Sequence, residues 1–378
     1  MAIIGMTMFR GGSGMIREKQ FYRLFFGLTM SLALQNLLTF GVNLLDTVML
    51  GRYSQAAMGG VSLCNQFQFL LQMLVSGAGE GAVVLGAQYW GRGDLKPIPH
   101  IIGAALRFGG GMAVALFALA LAAPRTLLGL LSSDAAVVEQ GVAYMQIICF
   151  TYVIFTLTNI LVASLRSIGV VKIGYVISFS TLCINGVLNY CLIYGHLGFP
   201  ELGVRGAAIA TLVSRCVELL IVMVYLRYFE RRLKLSVRGL ARMDKSYLRD
   251  YAHISLPVLV NQALWGVAQM VQTCILGHLG GDVTAANAIA VQVYQVLSVV
   301  SYGAASAAAI LVGKTVGSGQ KERLRQLVST LERMFILLGI AAGAAIWAVR
   351  GPVLALFGGT LTEQATQLAM SFMAVLAV

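Results

Sequence analysis

The aspartate in 42-VNLLDTVMLGRY-53 ends an apolar run that begins near Phe21. A carboxylate inside hydrocarbon costs roughly 2.5–3.5 kcal/mol on insertion scales, so Asp46 needs a partner or a purpose. Its short side chain reaches the interface poorly, and the next charge is Arg52. In a low-dielectric pocket such a group can take up and release one cation, H⁺ or Na⁺, because the neutral complex is the form that lipid tolerates. Amides are available to serve it. Asn185 and Asn189 in 185-NGVLN-189 are four residues apart, which puts both on one helix face. Glu80 follows glycines in another apolar run and could face a cleft, where it would attract organic cations. Arg215 and Glu218 are three apart, the spacing of a mutual ion pair. Covalent chemistry lacks its parts. The four histidines (100, 196, 253, 278) stand near the ends of apolar runs, with no HExxH and no GxSxG, so no catalytic residue is expected and the chain is not read as an enzyme. The six cysteines all lie in apolar runs without CxxC spacing and read as packing thiols. Beyond a Na⁺ at Asp46 no metal or cofactor is expected.

The elements that position these residues are membrane helices. Of 378 residues, 58% are hydrophobic and 11% charged, and mean hydropathy is +0.82. Ten apolar runs fall at 24–50, 58–88, 101–122, 137–163, 172–195, 204–226, 253–277, 284–312, 334–349 and 362–378. Runs of this length cross ~30 Å of hydrocarbon as helices. The net charge of +12 invites a nucleic-acid reading that its distribution rejects. With the N-terminus inside, 22 of the 27 Lys and Arg fall in inside segments, four fall outside, and Arg215 is within a helix. That asymmetry is the positive-inside pattern and predicts a cytoplasmic N-terminus. The first 20 residues have no cleavage site and read as a tail.

Shifted by 226 residues, the sequence overlays on itself. The run 77-GAGEGAVVLGAQYWGRG-93 falls on 303-GAASAAAILVGKTVGSG-319, with Gly77, Ala78, Ala82, Leu85, Gly91 and Gly93 meeting identical residues. A single offset over about 85 residues indicates duplication. Six helices precede the second copy, so both copies enter from the same side and form parallel repeats with a site between them. The expected organisation is an all-α membrane protein: a tail at 1–23, a first lobe at 24–226 (helices 1–6), a cytoplasmic linker at 227–252 and a second lobe at 253–378 (helices 7–10). Completing the second copy would take about 76 further residues by the repeat period, so the C-terminal lobe reads as incomplete.

At this point the chain resembles the multidrug and toxic compound extrusion (MATE) family, of bacterial type. The motifs are DTVMLG near the end of the first helix, AQYWGRGD after the second, LRSIG after the fourth, NGVLNYCLIYG in the fifth and GVRGAAIATLVSR opening the sixth. The resemblance implies twelve helices in two six-helix lobes, about ten of them present here. It implies a proton- or sodium-coupled antiporter that expels organic cations by alternating access from the bacterial inner membrane, working as a monomer in the lipid bilayer without nucleic acid. It makes Asp46 the coupling carboxylate of the first lobe and adds Tyr144, Asn159 and Thr211 to Asn185 and Asn189 around it. Gln262, Trp265 and Met270 join Glu80 as candidates for the substrate cleft. Three positions depart from the family pattern: Asn189 where some relatives have a second aspartate, Gln262 where many have glutamate, and Ser31 where proline is frequent. A lipid-precursor flippase is the alternative on the same architecture. It would need several basic residues in its cavity for pyrophosphate, and Arg215 alone is within a helix.

Overall fold

A computed structural model describes residues 15–132, 134–230, 232–233, 239–240, 245–279, 281–357 and 363–377. Among them twelve α-helices form in order: α1 (Lys19–Tyr53), α2 (Gln55–Arg92), α3 (Ile98–Ala122), α4 (Pro124–Gly129), α5 (Ala135–Ile148), α6 (Phe150–Ser167), α7 (Lys172–Tyr194), α8 (Val204–Val224), α9 (Lys245–Leu279), α10 (Gly281–Gly317), α11 (Lys321–Phe357) and α12 (Glu363–Leu376). Eight helical segments are long and apolar enough to cross a bilayer, and the chain is a multi-pass membrane protein. The ten apolar runs map onto this order, with one split. The fourth run is α5 and α6, interrupted at Cys149. There the Thr151 hydroxyl bonds the Ile148 carbonyl at 2.6 Å, and side-chain capture of a backbone acceptor weakens the helical ladder and bends it.

Caps set the tight turns. Ser54 alone separates α1 from α2, and its side chain accepts from the Ala57 amide at 3.5 Å. Asp134 caps α5 through the amides of Ala136 and Val137. Gly93, with φ 76, ends α2 in the left-handed conformation that glycine adopts without strain.

The first lobe is α1–α8. α1 packs on α7, α7 on α8, and α2 against α3, α5 and α6. In the second lobe α10 packs on α11 and α12. The duplication is visible in the helix ends: α1 and α9 are both 35 residues long and begin 226 positions apart. It is visible again in reciprocal contacts between the lobes. A methyl group at Gly91 would lie 2.0 Å from the Lys314 carbonyl oxygen, and one at Gly317 would lie 1.9 Å from that of Gln88. Each pair is the other shifted by 226. The C-terminal ends of α2 and α10 therefore meet side by side, which is a parallel, not an inverted, relation. Gly77 against Leu259 and Gly303 against Ala33 repeat the pattern. Small residues let the backbones approach and gain dispersion contacts where lipid supplies no hydrophobic drive.

The close contacts between lobes gather at this end. One apolar cluster joins Phe21, Phe25, Leu28 and Leu32 of α1 to Ala304, Ala307 and Leu311 of α10. The Tyr251 hydroxyl of α9 donates to the Ala78 carbonyl of α2 at 2.8 Å. The described part of the linker docks at the same end. Arg232 pairs with Glu230 at 2.8 Å and lies 5.6 Å from the Trp90 ring centroid. Burial alone would raise the Glu230 carboxyl, but the bonds and charge of Arg232 outweigh it and hold the group below its ordinary value.

Candidate functional site

Asp46 stands in the last two turns of α1. Val42 and Leu50, one turn to either side, are buried, so this helix face looks into the lobe. Two further contacts fix α1 on α7: Thr39 Oγ1 lies 3.3 Å from Ser178 Oγ, and the Tyr194 hydroxyl donates to the Met49 carbonyl at 2.7 Å. Gly186 of α7 leaves room for Leu45.

Held between these contacts, Asp46 accepts a hydrogen bond from the Asn189 amide. The same nitrogen donates to Asn185 Oδ1 at 3.0 Å, and Asn185 Nδ2 donates to Thr211 Oγ1 of α8 at 3.3 Å. Both asparagines are fully buried. The orientation of Asn189 follows from its partners, since both are acceptors and only the NH₂ end can face them. That leaves Asn189 Oδ1 buried with no partner among the described residues. Buried acceptors are normally satisfied, so an orphan needs an explanation. Tyr144 of α5 is buried, within electrostatic range of Asp46 and beside Thr211.

The structure thus brings five of the six expected residues together. Asn159 stands apart from the network, because its amide donates to the Phe155 carbonyl of its own helix at 3.0 Å. The expectation for Glu80 changes. Its carboxylate is 3.2 Å from Arg166, which lies in the last turn of α6 rather than in a loop. Its charge is already met inside the first lobe, and it is not an unpaired anion of the cleft. Trp265 lies between the lobes, its ring centroid 6.3 Å from that of Phe69. Gln262 is half-buried on α9, and the Met270 side chain lies outside the described residues.

Two partners escaped sequence reasoning. Arg166 was hidden by an apolar run that ends before α6 does. Thr181 donates to Glu218 at 2.6 Å, and the signal for it was present: Thr181, Asn185 and Asn189 are spaced by fours on one face of α7. The expected Arg215–Glu218 pair forms, at 2.8 Å.

The MatE family model matches residues 31–191 and 257–378, which fall in the two lobes. A probable multidrug resistance protein NorM of Thermotoga maritima is 26% identical over 323 residues, covering 85% of this chain and 69% of the relative. A probable multidrug resistance protein YoeA of Bacillus subtilis is 26% identical over 338 residues, covering 89% and 72%. Among solved structures, an outward-facing multidrug resistance MATE family transporter of the MOP superfamily superposes with a TM-score of 0.84 at 20% identity, covering 94% of this chain and 78% of that one. A MOP superfamily transporter from Pyrococcus furiosus superposes with a TM-score of 0.82 at 21% identity, covering 94% and 77%.

Proposed function

Because the chain belongs to the MatE family, whose model covers both lobes, we propose that it is a multidrug efflux antiporter of the bacterial inner membrane, driven by H⁺ or Na⁺ at Asp46. The observation that carries the coupling site is the unpartnered oxygen on the Asn189 amide whose nitrogen donates to the Asp46 carboxylate. The pocket has acceptors in excess of donors. A proton or a Na⁺ on Asp46 removes that excess once the Asn189 amide turns to offer its oxygen. Asn185 and Thr211 then hold Asn189 in place, and Tyr144 closes the pocket from α5.

The cargo is a drug, as the names of the multidrug relatives suggest, and the family resemblance makes it an organic cation. The basic ends of the helices lie in the cytoplasm, so the close-packed end at Gly91 and Gly317 faces inward. Loading Asp46 stabilises one arrangement of the lobes over the other, and a ligand can shift such an equilibrium only by its differential affinity for the two states. The flippase alternative is disfavoured, since Arg166 and Arg215 are both paired to carboxylates within the first lobe and neither is free for pyrophosphate.

The test uses the purified chain in proteoliposomes preloaded with ethidium. A pH gradient and a Na⁺ gradient are imposed separately. Efflux driven by one of them supports the proposal and identifies the ion. Efflux indifferent to both overturns it.

A further inference from the structure

Below the Asp46 pocket the seam between α7 and α8 holds a second polar station. Asn189 to Thr181 is eight residues, about 12 Å along the helix axis. Thr181 Oγ1 lies 2.6 Å from Glu218 Oε1 and 3.0 Å from the Ile177 carbonyl, and the charged acceptor is the closer of the two. Arg215, one turn beyond Thr211, donates through one terminal nitrogen to both Glu218 oxygens, at 3.0 and 2.8 Å. Its guanidinium carbon sits 5.0 Å from the Phe155 ring centroid of α6. The Arg215 Nε is buried with no partner among the described residues, and Arg215 stands one turn from Thr211, whose hydroxyl accepts from Asn185 in the network that ends on Asp46.

Such a pair is hard to explain by packing. Desolvating two charges in a membrane interior costs about as much as their attraction returns, and well-packed apolar residues serve stability as well or better. The charge count suggests another role. Asp46, Glu218 and Arg215 together carry one net negative charge, which one monovalent cation cancels. Without Glu218 the count is already zero, with an unpaired guanidinium one turn from the Thr211 end of the Asp46 network.

On the reading of Asp46 as the cation site, we propose that Glu218, steadied by Thr181, is a positioning residue that holds Arg215 away from Asp46, so that the carboxylate is left for the coupling cation and is not neutralised from within. Glu218 acts through Arg215 and does not touch the cation. The pair sets how tightly the cation binds and keeps the stoichiometry at one.

The test reads ethidium efflux from proteoliposomes of the full chain. The quantity is the cation concentration at half-maximal rate, taken for Na⁺ at fixed pH and for H⁺ in Na⁺-free buffer. Glu218→Gln frees Arg215 and is expected to raise it about tenfold, within the usual span of coupling energies. The double variant Arg215→Gln/Glu218→Gln restores the net charge of minus one and returns it to near the parent value. A structural role makes the opposite prediction, since the double variant loses every bond of the pair and fares no better than the single. An unchanged half-maximal concentration in Glu218→Gln, or no recovery in the double, overturns the proposal. Should Glu218→Gln fail to insert, Thr181→Val decides: it keeps both charges, loosens Glu218, and is expected to raise the value about threefold by loss of one charge-assisted bond, whereas no change refutes the role. Asp46→Asn separates the two layers. If that variant keeps its cation dependence, the reading of Asp46 fails. If it loses cation dependence while Glu218→Gln behaves as the parent, the site stands and only the pair's role falls.

Discussion

Gly91 meets Lys314 so closely that a methyl group on it would lie 2.0 Å from the Lys314 carbonyl oxygen. The contact is one of two related by the 226-residue repeat, and it lies where α2 and α10 cross. Gly91→Val should therefore push the lobes apart at this end, with an overpacking cost of about 1–3 kcal/mol. Spin labels at Asp94 and Gln320, exposed positions 226 apart, report the separation. A longer distance in the variant is expected. An unchanged distance at unchanged stability would mean that the two helices do not meet there.

The ion pair of Glu80 and Arg166 carries the second prediction. Arg166→Gln strands the carboxylate and should destabilise the protein by about 1–2 kcal/mol, between the values for exposed and buried pairs. Glu80→Gln/Arg166→Gln should recover most of that in thermal unfolding, and ethidium affinity should be untouched in the double variant. A loss of dye affinity without a change in stability would return Glu80 to the wall of the cleft.

How much of this was legible follows physical lines. Apolar runs marked every long helix, because hydrocarbon thickness sets their length. They missed the polar ends. α11 begins at Lys321, thirteen residues before the apolar run, since a helix continues into water as readily as its own hydrogen bonds allow. The same effect hid Arg166 from Glu80. The repeat was legible because backbone contact at Gly91 and Gly317 tolerates no side chain, so both copies hold glycine there. Spacing alone put Asn185 and Asn189 on one face of α7, and the family resemblance brought that face to Asp46. Asn159 was beyond reach, since no spacing tells whether an amide turns toward a neighbour or back to its own helix.

The linker gives a prediction about pH. Glu230 is held below its ordinary value by Arg232, so the stability it adds is fully present above the unfolded carboxylate value, about 4.3, and is lost as the pH falls through the lower folded value. Arg232 stacks near Trp90, so the change reads out as Trp90 emission in a variant carrying Trp265→Phe and Trp347→Phe. The acid transition should vanish in Glu230→Gln. Its persistence in that variant would assign the transition to another group.

Tyr194 offers a subtler test of the pocket. Its hydroxyl fixes the Met49 carbonyl, three residues from Asp46. Tyr194→Phe should cost about 1 kcal/mol of stability and raise the half-maximal cation concentration about two- to fivefold, because the carboxylate is held less firmly. A stability loss with no change in cation dependence would show that this end of α1 does not position Asp46.

The central claim is that Asp46 couples a cation gradient to efflux, and Asp46→Asn tests it most directly. The amide keeps the size of the side chain and fixes the site in its neutral form. Proteoliposomes with the variant are loaded with ethidium and given the gradient that drives the parent chain. The expected result is a folded, inserted protein that still binds ethidium and shows no gradient-driven efflux. Full gradient-driven efflux by Asp46→Asn would contradict the account.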